Sequence, residues 1–287
     1  MDNRLMIVLK GFLMGVCDVI PGVSGGTIAF ITGIYQRLID AVKSFSPRTI
    51  VHLIKLDRKK IKELDLPFLG LLVAGIVMAL FLVSGVIDRL LISYYSFTVS
   101  FFIGLILASS IVIYTDIKDH SIRNISFGLI GLLIGLSLAF VVQLNVTPSL
   151  LYVFFAGFLA ISAMFLPGIS GAFILLILGV YQFMLRSLHN LSENILYVAM
   201  FLAGAVIGAG VISRLISFLF AKDKNKTLYV LLGLVVGSLS VPVKGIVQSS
   251  SVDSGMLVLM ILLAVSGFAI VFLVNKLVVG KTEKNEK

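Results

Sequence analysis

Ten apolar stretches, at about 4–20, 22–39, 67–87, 95–115, 125–143, 150–166, 168–186, 195–219, 227–247 and 256–275, dictate the solvent in which this chain folds. Most lie within or near the roughly 17–25 residues that cross a bilayer as helix. Backbone polar groups in lipid must be satisfied internally, so such stretches fold as helices rather than as open sheet. Charged residues make up 13% of the chain, against about 25% in soluble domains. The expectation is an all-α integral membrane protein. Residues 1–15 carry no convincing signal-peptidase site, so the first stretch is expected to stay with the rest.

Two of the runs are interrupted by nearly the same phrase, "IPGVSGGT" at Ile20 and "LPGISGA" at Leu166. Sliding the chain along itself aligns "GFLMGVCDVIPGVSGGTIAFITGIYQRL" from Gly11 with "GFLAISAMFLPGISGAFILLILGVYQFM" from Gly157. Further on, "GVIDRL" at Gly85 matches "GVISRL" at Gly210, and "IGLILASS" at Ile103 resembles "LGLVVGSL" at Leu232. The order is kept, which predicts two homologous membrane repeats, 1–146 and 147–287, with five stretches each. An odd number of crossings turns the second repeat over relative to the first, giving an inverted-topology pair. Each repeat opens with a Pro-Gly-broken helix pair. Such a pair either crosses fully or, as the hinge favours, re-enters on one side.

Charge sets the orientation. With the N-terminus inside, the basic loop 40–66 (Lys43, Arg48, Lys55, Arg58, Lys59, Lys60, Lys62), Lys118, Arg123, the Lys222, Lys224, Lys226 cluster and the Lys-rich tail all become cytoplasmic. Arg89, Arg186 and Lys244 fall near the outer side. Both termini are therefore expected in the cytoplasm, and the net charge of +9 reads as topology rather than nucleic-acid binding. In loop 40–66, Ile50, Leu53, Ile54, Ile61 and Leu64 recur at helical spacing among lysines, a pattern suited to lying on anionic lipid. An ordinary positive-inside loop is the alternative. Cys17 is the single cysteine, so no internal disulfide forms and it reads as a small buried hydrophobe.

The repeated phrase has its own chemistry. Proline removes a backbone donor and glycine frees the backbone, so each phrase should end one helical run and begin another. Ser24 or Thr27, and Ser170, then cap or flank the next start. A helix start in a membrane offers unpaired amides and a positive dipole end, an anion site without a charged side chain. Gly22, Gly25, Gly26, Gly168 and Gly171 would let an oxyanion approach the backbone, and inverted symmetry would bring the two starts together near the midplane. The alternative is close helix packing through small residues, as expected for Gly11/Gly15, Gly131/Gly135, Gly204/Gly208 and Gly233/Gly237.

Arg89 and Arg214 align as mates in Gly-Val-Ile-x-Arg-Leu, and a guanidinium fork suits phosphate. Snorkelling to the interface is their alternative. Asp18 precedes the first Pro-Gly, with Met164 in the equivalent place. A lone intramembrane carboxylate is a candidate coupling group or arginine partner. Tyr35/Gln36 and Tyr181/Gln182 repeat as polar supports or helix-end anchors. For Arg37 and Arg186, snorkelling is expected.

At "DVIPGVSGGTIAFITGIYQRLI" and "LPGISGAFILLILGVYQ" the chain resembles a bacterial membrane family, formerly a domain of unknown function, regarded as polyprenyl-phosphate transporters. The resemblance implies a multi-pass protein of the bacterial cell membrane that returns undecaprenyl phosphate, the lipid carrier of cell-envelope sugars, from the outer to the inner leaflet. It implies no cofactor and no enzymatic reaction. Many relatives place Glu where this chain has Gln36 and Gln182, and Ser where it has Ala172. A phosphate cradled by helix starts while the isoprenoid tail stays in lipid needs a side-open groove rather than a closed pore.

The rival reading is a secondary transporter or channel for a small soluble anion. Gly-x-Ser-Gly also marks intramembrane serine proteases, but His52, His120 and His189 lie in loops or at segment ends, away from Ser24 and Ser170. A lipid phosphatase would need a His nucleophile or acid/base with clustered Arg and Lys, and metal catalysis clustered His, Asp or Glu; the sequence has neither.

Overall fold

The computed structural model describes residues 4–20, 23–45, 49, 64–249 and 253–285, and these fold as helices joined by short turns, with no strand among them. In chain order they are α1 (Arg4–Asp18), α2 (Gly25–Ile31), α3 (Tyr35–Lys43), α4 (Leu66–Ser93), α5 (Tyr95–Thr115) and α6 (Ile122–Ser137), the last prolonged by a 3-10 turn over Leu138–Phe140. After them come α7 (Leu150–Met164), α8 (Gly171–Ile177), α9 (Tyr181–His189), α10 (Leu191–Lys222), α11 (Lys224–Ser238), α12 (Ser240–Ser249) and α13 (Ser254–Asn285). Among the described residues six segments are long and apolar enough to cross a membrane: α4, α5, α6 with its turn, α10, α11 with α12, and α13. The chain is thus an all-helical, multi-pass membrane protein. Pro21, Gly22 and most of loop 40–66, with Arg48, Ile50, His52, Leu53, Ile54, Lys55, Arg58, Lys59, Lys60, Ile61 and Lys62, lie outside the described residues.

The expected stretches 22–39 and 168–186 are not single helices. Each divides in two, at Gly33 (φ 70°) and Gly179 (φ 69°), because a left-handed residue ends one helix before the next begins. Each boundary of α1, α2 and α3 recurs 146 residues on, from Arg4 and Leu150 to Lys43 and His189.

Glycines decide how the long helices pack. α1 lies along α4 and α7 along α10. In the first pair Gly11 faces the Leu72 carbonyl and Gly75 that of Val8; in the second Gly157 faces the Phe201 carbonyl and Gly204 that of Phe154. A Cβ at any of these positions would strike backbone. The same device joins α5 to α13, where Gly104 meets Ala264 and Gly267 meets Phe101. It also joins α11 to α6, where Gly233 meets Gly128 and Gly131 meets Val230. Close packing is therefore the right reading for these stripes, with backbones brought within contact range by small residues.

These contacts also fix the register of the repeat. Leu72 and Phe201, and Gly104 and Gly233, take equivalent places 129 residues apart. The match of "GVIDRL" with "GVISRL" runs one helical turn short of that spacing. Arg89 and Arg214 are consequently not packing equivalents: the counterpart of Arg214 is Gly85, and that of Arg89 is Phe218. A slip of four residues keeps every side chain on the same helix face, so an apolar pattern cannot reveal it.

Candidate functional site

The helix start after the first phrase meets the second Pro-Gly bend, and first-repeat side chains bind second-repeat backbone. The Thr27 hydroxyl accepts a hydrogen bond from the Gly168 amide at 3.0 Å. Tyr35 donates its phenolic proton to the Phe165 carbonyl at 2.9 Å, and Ser24 reaches the Leu166 carbonyl at 3.4 Å. Gly26 is pressed against the same segment, where a Cβ would lie 2.6 Å from the Met164 carbonyl. Ser24, Thr27 and Ser170 are each 1% exposed, so the junction is sealed. Buried polar groups of this kind require partners; Ser24 and Thr27 find theirs across the repeat boundary, and Ser170 within its own helix start.

The two helix starts differ. At α2, Ser24 holds the N-cap position with extended backbone, but its side chain makes no cap; the Gly25 amide is taken instead by Asp18 Oδ1 at 2.8 Å. The first start therefore carries its own carboxyl group. Asp18 Oδ2 is buried with no hydrogen-bond partner among the described residues. At α8, Ser170 caps by accepting from the Phe173 amide at 3.4 Å, and Gly171 packs on Met164 and on the Ala160 carbonyl. Gly168 has φ 89°, and its missing Cβ would lie 2.7 Å from Val235 Cα, so the second bend is wedged against α11 as well.

The other expected residues scatter. Gln36 bonds Asp40 in its own helix at 3.3 Å. With Tyr35, Asp116, Ser217 and Lys224 it borders a cavity of about 480 Å³ between the α2–α3 turn and the α10–α11 corner. Tyr181 instead lines an apolar cavity with Leu175, Met184 and Phe201, and Gln182 is exposed; neither reaches the junction. Arg214 donates to the Gly210 carbonyl at 2.6 Å and to the Phe45 carbonyl at 2.8 Å. It fastens α10 to the end of α3, beside the bond from Lys43 to Ser217 at 2.8 Å. Arg89 is exposed on α4, and no hydrogen bond or ion pair joins it to either bend among the described residues. Arg37 does not snorkel alone: it pairs with Asp65 at 2.6 Å and lies 4.2 Å over the Phe68 ring.

Sequence reasoning passed over Lys10, which is 5% exposed. Lys10, Met14 and Asp18 recur every four residues along α1 and so share one face. That spacing was the available signal. The accepting carbonyls of Phe165 and Leu166 had none, because any residue supplies a carbonyl.

Residues 14–258 match the family described as undecaprenyl phosphate translocase-like. The chain belongs to this family. A polyprenyl-phosphate transporter of Vibrio cholerae is 35% identical over 242 residues, covering 83% of this chain and 77% of the relative. A polyprenyl-phosphate transporter of Staphylococcus aureus is 29% identical over 250 residues, covering 81% and 83% respectively. No solved structure gives a significant match. The resemblance carried by the two phrases is borne out, and the family's matched span takes in both bends, the junction and the α10–α11 corner.

Proposed function

We propose that this chain moves a polyprenyl phosphate, undecaprenyl phosphate in the bacterial cell membrane, from the outer to the inner leaflet for reuse in cell-envelope synthesis. The observation that carries the reading is the buried polar junction between two broken helices, where side chains of one repeat bind the backbone of the other. Buried polarity in lipid is costly and marks a pathway. The curated relatives carry the same substrate class in their names. A carrier of this kind breaks no bond in its cargo, so the reading is of a transporter and not an enzyme.

In this reading the chain is an inverted pair of repeats, 1–146 and 147–287. Three long spans per repeat, an odd number, turn the second over, and the exchanged packing of α5 with α13 and α11 with α6 suits a two-fold relation. α1 and α7 have 15 residues each, a rise of about 22 Å against a hydrocarbon core of roughly 30 Å. That length favours re-entrant hairpins. The lysines at the α10–α11 corner favour cytoplasmic termini.

The phosphate is taken between the bends when the hydrogen bonds that seal the junction open, by Gly168, Ser170 and Gly171 from one side and by Ser24, Gly25, Gly26 and Thr27, with Gly22, from the other. Asp18 already occupies the first start. A second anion there is repelled until the carboxylate is neutralised or withdrawn, which makes Asp18 the coupling group. Tyr35 holds the bends together, while Gln36, Tyr181 and Gln182 are supports further out. Arg89 and Arg214 act at the two ends of the path rather than at its centre.

The test is transbilayer movement of a polyprenyl phosphate by purified protein in liposomes. Wild type moves the lipid; Ser24→Leu, folded by circular dichroism and thermal unfolding, does not. Movement of inorganic phosphate instead of the lipid would favour the soluble-anion rival.

A further inference from the structure

The corner at Lys222–Asp223–Lys224 leaves a groove of about 480 Å³ between α10 and α11, adjoining the junction and apart from the polar cavity beside Gln36. Its walls are apolar: Ile216 and Leu219 from α10, Val230 and Leu234 from α11, with Phe127 of α6 closing the side. Cations stand only at its mouth. Lys222 is exposed, and Lys226 lies 5.7 Å over the Phe127 ring while pairing with Asp223. The floor is Leu166, the residue before Pro167, whose carbonyl accepts the Ser24 hydroxyl. The groove thus runs from a basic rim to the edge of the second bend.

We propose that this groove docks the head-proximal isoprenoid units of a polyprenyl phosphate, with Lys222 and Lys226 holding the phosphate. It is the station between the junction and the inner leaflet. The inference rests on the transport reading above and names where the cargo waits. Charge complementarity selects the occupant: Lys222 and Lys226 outnumber the single Asp223 carboxylate at the mouth, so one anionic head suits it, above an apolar slot walled by α6, α10 and α11. The volume falls in the roughly 300–1,000 Å³ of small-ligand sites, so the rest of the tail extends into lipid. An incoming phosphate competes with Asp223 for Lys226, which makes docking reversible.

The chain contains no tryptophan, so Phe127→Trp in the full-length protein provides a reporter without background. In phosphatidylcholine liposomes, titration with polyprenyl phosphate produces a saturable change in tryptophan emission. Polyprenol and phosphatidic acid bind at least about tenfold more weakly, and Lys222→Gln weakens polyprenyl phosphate by about tenfold, the scale of one charge-assisted hydrogen bond. Lys222 makes no cap, so this variant spares the α11 start that Lys226→Gln would disturb. Equal response to phosphatidic acid would make the groove an ordinary lipid seat and end the proposal. So would active transport with no saturable signal, judged also by Leu219→Trp as a second reporter. Saturable, phosphate-dependent binding without transport would sink the transport reading and leave the groove standing.

Discussion

The two helix starts that follow the repeated phrases have matching bounds and little else in common. The first has Asp18, Ser24, Thr27 and Tyr35 around it; the second offers Met164, Ser170, Phe173 and Tyr181 at the matching places. Across the junction the first repeat gives side chains and the second gives amide and carbonyl groups. The two phrases have proline, glycine and serine in common, but only Ser170 caps its helix start. The side chains that bind across the junction belong to the first phrase's neighbourhood alone.

The sharpest contrast lies between the mates Gly33 and Gly179. Both are left-handed, but a Cβ on Gly33 meets open space and one on Gly179 strikes the Leu144 carbonyl. Gly33→Ala is expected to cost only the left-handed penalty of about 1–2 kcal/mol. Gly179→Ala adds overpacking of roughly 1–3 kcal/mol and should lower the unfolding temperature in detergent clearly more. Equal losses would break the asymmetry at its root.

Thr27→Val removes the acceptor for the Gly168 amide and leaves a buried donor unpaired, a loss of about 1–3 kcal/mol. At the matching place, Phe173→Leu is a hydrophobic exchange expected below roughly 1.5 kcal/mol. Tyrosine repeats the comparison at smaller scale: Tyr35→Phe should cost about 0.5–1.5 kcal/mol, and Tyr181→Phe stay within about ±0.5 kcal/mol. Thermal unfolding of the four variants side by side orders them; a Tyr181→Phe loss matching Tyr35→Phe would mean that the second repeat reaches the junction after all.

Much of this was legible in the sequence. The helical class followed from apolar length, and the packing stripes from glycines four residues apart. The meeting of the bends followed from the duplicated phrase. Helix breaks at Gly33 and Gly179 were missed because a hydropathy run counts apolar residues and is blind to φ. The Arg89–Arg214 pairing misled because a one-turn slip preserves a helix face. Arg214 binding the Phe45 carbonyl was beyond reach, since a carbonyl leaves no mark in sequence.

Asp18→Asn keeps the oxygen that accepts from Gly25 and removes the charge, so stability should change little. If the carboxylate couples transport, the variant flattens the dependence of lipid movement on pH in liposomes. An unchanged rate with an unchanged pH profile would leave Asp18 as a helix cap alone, and the asymmetry of the two starts would then be architectural.

The smallest effect comes from a second pair of mates, the N-caps of α5 and α11. Tyr94 makes no side-chain cap, whereas Asp223 accepts from the Lys226 amide at 3.0 Å. Hydrogen bonds from the Lys226 side chain and then its amide, together with the Lys226 and Arg123 charges, hold the Asp223 carboxyl below its ordinary value. A group whose pKa is lowered by folding stabilises the fold above its unfolded value, about 3.9 for Asp, and loses that contribution as pH falls through the folded value. Asp223→Asn should therefore unfold slightly earlier than wild type at pH 7, and the gap should close as the pH falls through the folded value of the carboxyl. Tyr94→Asn should show no such convergence, because no carboxylate titrates at that end. A gap between wild type and Asp223→Asn that persists in acid would assign the difference to shape rather than charge, and would remove this last inequality between the repeats from electrostatics.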